Sequence, residues 1–302
     1  MTETRTAVVL MAYGTPRSPE DVLPYYTDIR RGNPPSPEQL ANLTARYEAI
    51  GGISPLAQRT EAQRVALQAA LDTTADGRYH VVLGLKHAAP FIEQTVEALA
   101  ADGFREVVGL VLAPHYSAFS VGQYLTRLAD AASPHNMEVR SIDSWATEPA
   151  FVEFIAADLR TKLATLPAET RVLFTAHSLP QRILASGDQY PAQVRATAQL
   201  VAASVGLVNW ATAWQSAGRT TEPWLGPDIL QVVDELAEGG ETTGVLVSAV
   251  GFVADHLEVL YDLDIEAAGR AAQHGLAFAR TACVNDDPIV MAALAARVIG
   301  AA

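Results

Sequence analysis

Val172-Leu173-Phe174-Thr175-Ala176-His177-Ser178-Leu179-Pro180 carries the strongest structural signal in the chain. Its apolar run, Val172-Leu173-Phe174, reads as a buried parallel strand. It has a counterpart near the start of the chain, Val8-Val9-Leu10-Met11-Ala12-Tyr13-Gly14-Thr15-Pro16. Each runs in the same order: a strand, Ala, a ring residue able to bind a metal or a proton, a small residue, one spacer and Pro. Two strand ends therefore present Tyr13 and His177 in equivalent positions. In open α/β sheets, ligands bind beyond the carboxyl ends of the strands. Two such edges facing each other would put Tyr13 and His177 on either side of one cleft, which suits a flat ligand approached from both faces.

Outward from these two stretches, apolar runs alternate with helical patterns. Strands are expected near 6–12, 79–86, 106–113 and 137–143, and again near 171–176, 208–215, 243–251 and 276–282. Helical spacing covers 60–72, 90–102, 119–132, 191–204 and 227–238. Such alternation means parallel sheets covered by helices. The halves read as a diverged duplication. Leu110-Val111-Leu112-Ala113-Pro114-His115 leads to a helix with Tyr124, as Val247-Ser248-Ala249-Val250-Gly251-Phe252 leads to one with Glu258. The expected fold is two similar doubly wound, Rossmann-like α/β domains. The first spans 1–145 and is joined by a final helix in 286–302; the second spans 146–285.

The chain has 302 residues, 49% hydrophobic and 18% charged, which fits two globular domains. No apolar run approaches a membrane span. Met1-Thr2-Glu3-Thr4-Arg5 leads straight into a strand, so no signal peptide is expected. Cys283 is the only cysteine, which rules out an intrachain disulfide and a cluster held by four cysteines of one chain. A cytoplasmic location is expected. The net charge of −13 argues against nucleic-acid binding; solubility is its main reading, attraction of small cations the other, and an anionic ligand would need local positive groups. No strongly apolar surface helix stands out, and a monomer is expected.

Glu258, Asp262 and Glu266 lie at i, i+4 and i+8, one acidic row on a helix. Like charges at this spacing repel by a few tenths of a kcal/mol per pair. Two readings stand: a solvated face, or a row that handles a divalent cation through oxygen ligands. His177 is either a hydrogen-bonded loop histidine or a group that takes a proton or binds a transition metal. In an otherwise acidic chain the 25–32 and 43–56 segments concentrate Arg30, Arg31, Arg46, Tyr25, Tyr26 and Tyr47. Arg grips carboxylates and Tyr offers flat surface with a polar tip. The turn at Gly51-Gly52 is expected to bring Ser54 and backbone N–H groups toward an anion; surface salt bridges on a helical hairpin are the other reading. Lys86-His87 ends another strand at the same rim. The 214–227 loop, with Trp214, Arg219 and Trp224, could wall the cleft. Cys283 reads as core, and nothing singles out His80, His135 or His274.

These residues together resemble the ferrochelatases, most closely the soluble coproporphyrin III ferrochelatases of monoderm bacteria. The resemblance rests on Met11-Ala12-Tyr13-Gly14-Thr15-Pro16, the 25–32 and 46–56 segments and Gly84-Leu85-Lys86-His87. It continues through Leu112-Ala113-Pro114-His115-Tyr116-Ser117, Ala176-His177-Ser178-Leu179-Pro180, Trp214-Gln215-Ser216, Trp224-Leu225-Gly226-Pro227 and 251–262. It implies two doubly wound domains with a porphyrin cleft between them, and insertion of ferrous iron with release of two protons. Transferred by position, His177 and Glu258 bind the incoming iron, and Tyr13 becomes the axial ligand of the product iron. Arg30, Arg31, Arg46, Tyr47, Ser54, Lys86 and Tyr124 fall to the porphyrin, while Asp262 and Glu266 feed iron or hold an accessory Mg²⁺ or second metal. Fe²⁺ is a substrate, no prosthetic group is implied, and with one cysteine no Fe–S cluster is expected. An iron donor and a downstream coprohaem decarboxylase would be transient partners. Protoporphyrin IX as substrate, and a non-catalytic haem or porphyrin carrier, are the alternatives.

Overall fold

A strand that is apolar on every position has two faces to bury, and a parallel sheet sandwiched by helices buries both. The computed structural model describes residues 5–75, 77–218 and 220–302; residues 1–4 and Arg219 of the Trp-flanked loop lie outside them. In chain order the first elements are β1 (Thr6–Ala12), α1 (Val22–Ile29), α2 (Pro37–Ala49), α3 (Leu56–Ala75), β2 (Tyr79–Leu85), α4 (Ile92–Ala101), β3 (Glu106–Val111), α5 (Val121–Ala132) and β4 (Glu138–Ile142). Then come α6 (Pro149–Leu163), β5 (Thr170–His177), α7 (Arg182–Ala185), α8 (Tyr190–Val205), β6 (Trp210–Gln215), α9 (Ile229–Gly239) and β7 (Gly244–Ser248). The chain ends with α10 (Leu257–Tyr261), a π-helical turn (Asp262–Ala267), α11 (Ala268–Gln273), β8 (Ala277–Arg280) and α12 (Pro288–Ala301).

The strands form two four-stranded sheets, ordered β2-β1-β3-β4 and β6-β5-β7-β8. Every pairing is parallel, and the two orders are the same. β1 and β5 each have neighbours reached by crossovers in opposite directions, so their carboxyl ends are topological switch points. In register, Ala12 sits opposite Leu85, and His177 opposite Gln215. β1 is buried along its whole length, and in β5 Leu173 and Phe174 are fully buried.

The chain divides into two compact units. The first comprises the chain up to Ala113, Ser120–Ser144 and Asn285–Ala302; there α12 lies on α3, and Gln63 Nε2 donates to the Asn285 carbonyl at 2.9 Å. The second is Trp145–Val284 with the Pro114–Phe119 segment. That segment is tied to α8 and its approach: the Asp188 carboxylate accepts from Ser117 Oγ at 2.8 Å and Ala118 N–H at 2.9 Å, and Gln193 accepts from Tyr116 N–H at 2.8 Å. Among the described residues, no helix is long and apolar enough to cross a membrane.

The strand expected over 243–251 stops at Ser248, because the backbone then turns to the end of β5: Gly251 N–H donates to the Thr175 carbonyl at 3.0 Å. This approach leaves no room for a side chain, since a Cβ on Gly251 would sit 2.5 Å from Ala176 Cβ and 2.7 Å from Ala176 Cα. Gly251→Ala should therefore cost about 1–3 kcal/mol of stability by overpacking. Gly269→Ala, in α11 with open space around it, should cost nothing and gain up to about 1 kcal/mol. Thermal unfolding of both variants checks the contrast; an unchanged midpoint in Gly251→Ala would show that this approach is not tight.

Candidate active site

The second unit gathers its titratable groups at the carboxyl end of β5. The His177 Nδ1 faces the Ser178 carbonyl, which can only accept, so Nδ1 carries the hydrogen and Nε2 is turned the other way. Nε2 lies 3.6 Å from Glu258 Oε1. His256 repeats the arrangement: Nδ1–H donates to the Ala254 carbonyl at 2.9 Å, and Nε2 lies 3.6 Å from Glu258 Oε2. One carboxylate thus stands between two imidazole Nε2 atoms. Aromatic rings enclose the group, with Trp224 and Phe252 each 6.5 Å from the His177 ring and Phe252 5.0 Å from His256. Behind it the buried Tyr190 hydroxyl donates to the His177 carbonyl at 3.0 Å.

Burial works against charge on His177, but the Glu258 carboxylate outweighs it, with the Ser178 carbonyl and Asp262 adding to the effect. The imidazole is pushed up to about 9. Burial likewise opposes charge on Glu258, yet His177 and His256 hold its carboxyl well below the usual carboxylate range. The resting group is therefore an imidazolium–carboxylate pair.

The acidic row does not run along a plain α-helix as the spacing predicts: α10 gives way to the π turn and then to α11. Four residues overshoot an α-helical turn by about 40°, so an i, i+4, i+8 row would spiral away. The wider π turn reverses that drift over its length. The row one position on, Val259, Leu263, Ala267 and Ala271, stays in the hydrophobic core with Leu173, Val245 and Val247. Along the acidic row itself, Glu258 is with the imidazoles, Asp262 is buried and its Oδ2 accepts from Ser216 Oγ, and Glu266 is exposed. Ser216 makes this bond from the left-handed region, φ +59°. Among the described residues, no three or more His, Cys, Asp or Glu side chains are grouped to hold a metal ion.

The first unit gathers cationic and aromatic groups at the equivalent end of β1. Tyr13 is 41% exposed, and its ring meets His87 at 4.5 Å. Lys86 Nζ donates to Gln123 Oε1 at 2.6 Å and lies 5.8 Å from the Tyr13 ring and 5.1 Å from that of Tyr124. Burial, with Arg127 and Arg31 adding repulsion, pulls the Lys86 ammonium down to about 8. α1 is pinned beside this group. The Tyr25 hydroxyl donates to the Gly14 carbonyl at 3.2 Å, and Asp28 meets His87 Nδ1 at 2.6 Å. Arg30 stacks over Tyr26 at 5.7 Å and its Nε donates to the Asn33 carbonyl, while Arg31 is exposed. Tyr47, Ser54 and Tyr124 are buried. The Gly51-Gly52 turn differs from expectation: Gly51 and Gly52 N–H groups donate to the Glu48 and Tyr47 carbonyls, closing the end of α2. Ser54 Oγ accepts from Leu56 N–H at 3.3 Å.

His177, Tyr13 and Lys86 stand at or just beyond strand ends, as expected from the sequence, and Glu258 lies beside His177; the place of His256 beside Glu258, the pairing of His87 with Asp28 and the bond from Ser216 to Asp262 were not foreseen. His256 sits two residues before Glu258 at the N-cap of α10, with φ −157°. A helical projection cannot place an extended residue, so its only sequence signal was its nearness to the row.

The sequence matches the ferrochelatase family over residues 5–302. It is 44% identical over 300 residues to the coproporphyrin III ferrochelatase of Oceanobacillus iheyensis, covering 98% of this chain and 96% of that one. It is 43% identical over 305 residues to the coproporphyrin III ferrochelatase of Geobacillus kaustophilus, covering 99% and 96%. Among solved structures, the sirohydrochlorin chelatase SirB from Bacillus subtilis subspecies spizizenii, in complex with cobalt, superposes with a TM-score of 0.62 at 12% identity, over 99% of this chain and 96% of that one. At that identity the likeness is one of fold: two similar Rossmann-like domains.

The His177–Glu258 pair makes stability depend on pH. A group whose pKa is raised on folding contributes fully below its ordinary value, near 6.5, and loses that contribution as pH rises through about 9. The depressed carboxyl contributes above its ordinary value, near 4.5, and loses that as pH falls into acid. Glu258→Gln should lower the His177 titration midpoint, read by NMR of the ring protons, toward or below the ordinary value. The stability advantage of wild type over the variant should shrink between pH 6.5 and 9. An unmoved midpoint would rule out the pairing.

Proposed function

The chain belongs to the ferrochelatase family, and we propose that it inserts ferrous iron into coproporphyrin III, giving Fe-coproporphyrin III and two protons. The observation that carries the reading is the Glu258 carboxylate held between the Nε2 atoms of His177 and His256. A free-base porphyrin binds Fe²⁺ only when two pyrrole N–H groups give up their protons. The site must therefore hold a cation and accept protons at the same place, and an imidazole–carboxylate array does both.

In this reading His177 enters as imidazolium, and Fe²⁺ replaces its proton, since a metal ligand must present a lone pair. Glu258 offsets the charge and supplies an oxygen ligand. The displaced His177 proton leaves to solvent; as iron passes to the macrocycle the freed His177 Nε2 takes one pyrrole proton, restoring the imidazolium, and His256 Nε2 takes the other and passes it to solvent, so two protons are released in all. Asp262 and Glu266 lead iron in or protons out. Two carboxylates, one of them bound to Ser216, suit a cation that keeps most of its water shell, either iron in transit or an accessory Mg²⁺ or second metal held there. Tyr13, exposed at the end of β1, is the axial ligand of the product iron through its phenol oxygen. Arg30, Arg31, Arg46 and Lys86 anchor the carboxylates of the macrocycle, with Tyr47, Ser54 and Tyr124 shaping their surroundings. Binding energy at those carboxylates is available to bend the ring and expose its nitrogen lone pairs. A ferrous substrate and the single Cys283 suit a reducing cytoplasm. A monomer that meets an iron donor and a coprohaem decarboxylase only transiently completes the reading.

Anaerobic Fe²⁺ insertion into coproporphyrin III and protoporphyrin IX, side by side and followed by absorbance, tests the proposal. Faster turnover of coproporphyrin is expected. Preference for protoporphyrin would overturn the substrate, and tight iron-porphyrin binding without insertion would make the protein a carrier. His177→Ala should keep porphyrin binding and cut insertion by about a hundredfold or more; a near-normal rate would remove His177 from the mechanism.

A further inference from the structure

Arg280, the last residue of β8, touches none of the groups assigned to iron or porphyrin, yet it is among the most heavily engaged side chains of the second unit. Its guanidinium forms a fork on Asp264, Nε to Oδ1 at 2.7 Å and Nη2 to Oδ2 at 2.9 Å. Nη1 lies 3.4 Å from Asp255 Oδ1 and donates to the Thr281 carbonyl at 3.0 Å. The side chain is only 14% exposed. Burial opposes its charge, and the fork with Asp264 more than restores it.

The two carboxylates that it joins are placed to matter. Asp255 directly precedes His256 and stands three residues ahead of Glu258; Asp264 lies in the π turn, midway between Asp262 and Glu266. One rigid, planar cation therefore grips both flanks of the segment that carries the imidazole–carboxylate array. The opposite edge strand of the sheet holds the same segment from the other side. There Gln215 Nε2 donates to the Glu258 carbonyl at 3.2 Å, and Ser216 Oγ donates to Asp262. A π turn is a rare, locally unfavoured form of helix and persists where tertiary contacts enforce it.

We infer that Arg280 is a positioning residue for metal delivery: its fork on Asp264 and its reach to Asp255 hold the π turn in the widened form that aligns Glu258, Asp262 and Glu266. The inference rests on the reading that this row handles ferrous iron. It calls for a guanidinium rather than an ammonium, because a lysine cannot fork one carboxylate while reaching a second.

The test separates the KM for Fe²⁺ from the KM for porphyrin in wild type, Arg280→Gln, Arg280→Lys, Asp264→Asn and the Arg280→Gln/Asp264→Asn double variant. Arg280→Gln should raise the Fe²⁺ KM about tenfold, the usual scale for removing a group that orients a metal ligand. The porphyrin KM should stay within about twofold, because binding of the macrocycle is not routed through this fork. Arg280→Lys should fall between wild type and Gln. The double variant should be no worse than the worse single one, since both remove the same fork. An unchanged Fe²⁺ KM, a parallel rise in both KM values, or additive effects would overturn the inference. Should Arg280→Gln fail to fold, Asp264→Asn alone decides it, because Asp264 is the more exposed partner at 38% and Arg280 keeps Asp255. A wild-type chain that inserts no iron overturns the functional reading and this inference with it; an active wild type with an unmoved Fe²⁺ KM in the variants overturns the inference alone.

Discussion

Strand order beside a doubly buried central strand is the constraint on which the rest of this molecule depends. β1 and β5 are enclosed by neighbours reached in opposite directions, so the crossover helices diverge and leave the carboxyl end of each strand uncovered. A residue placed just beyond the strand at that point is held by a rigid parallel ladder and still faces an opening. The chain places Tyr13 after β1 and His177 at the end of β5. The two positions that the topology makes both rigid and accessible are thus the ones that the proposed chemistry uses.

The two ends have been filled with opposite electrostatics. Around Tyr13 stand Lys86 and His87, with Arg31 and Arg127 close enough to lower the lysine's proton affinity. Around His177 stand Glu258 and Asp262, which raise its proton affinity. In a chain of net charge −13, the first cluster is a local exception and the second a concentration of the general rule. Such a division matches a reaction whose substrates are a polycarboxylate and a cation. The same strand-end device serves both because the charge is set by the residues around the opening and not by the apolar strand itself.

Holding Glu258 ionised in a partly enclosed place needs partners on every side, and the structure supplies them in layers. His177 and His256 face its oxygens, their own orientations set by the Ser178 and Ala254 carbonyls. The helix that carries it is fixed through its backbone by Gln215, through Asp262 by Ser216, and through Asp264 by Arg280. The π turn is the consequence: an apolar row repeating every four residues must stay on the core, and only a widened turn lets it do so while the acidic row keeps its own line.

The legibility of each feature in the sequence depends on how local its signal is. Alternation of apolar runs with helical spacing determined the class of fold. The matched strand–Ala–ring–small–x–Pro segments determined that Tyr13 and His177 would stand in equivalent places; the spacing of Glu258, Asp262 and Glu266 marked an acidic row, whose course the π turn then set. These are properties of a few adjacent residues, and adjacent residues report backbone periodicity directly. Tertiary structure alone decided that His256 joins Glu258, since its extended N-cap backbone takes it out of any helical projection. It also turned the N–H groups of Gly51 and Gly52 onto the end of α2, and stopped β7 at Ser248 so that Gly251 could meet β5. Above all it joined Arg280 to Asp255 and Asp264. Each of these depends on which strand lies beside which, and only chain topology brings such distant residues together.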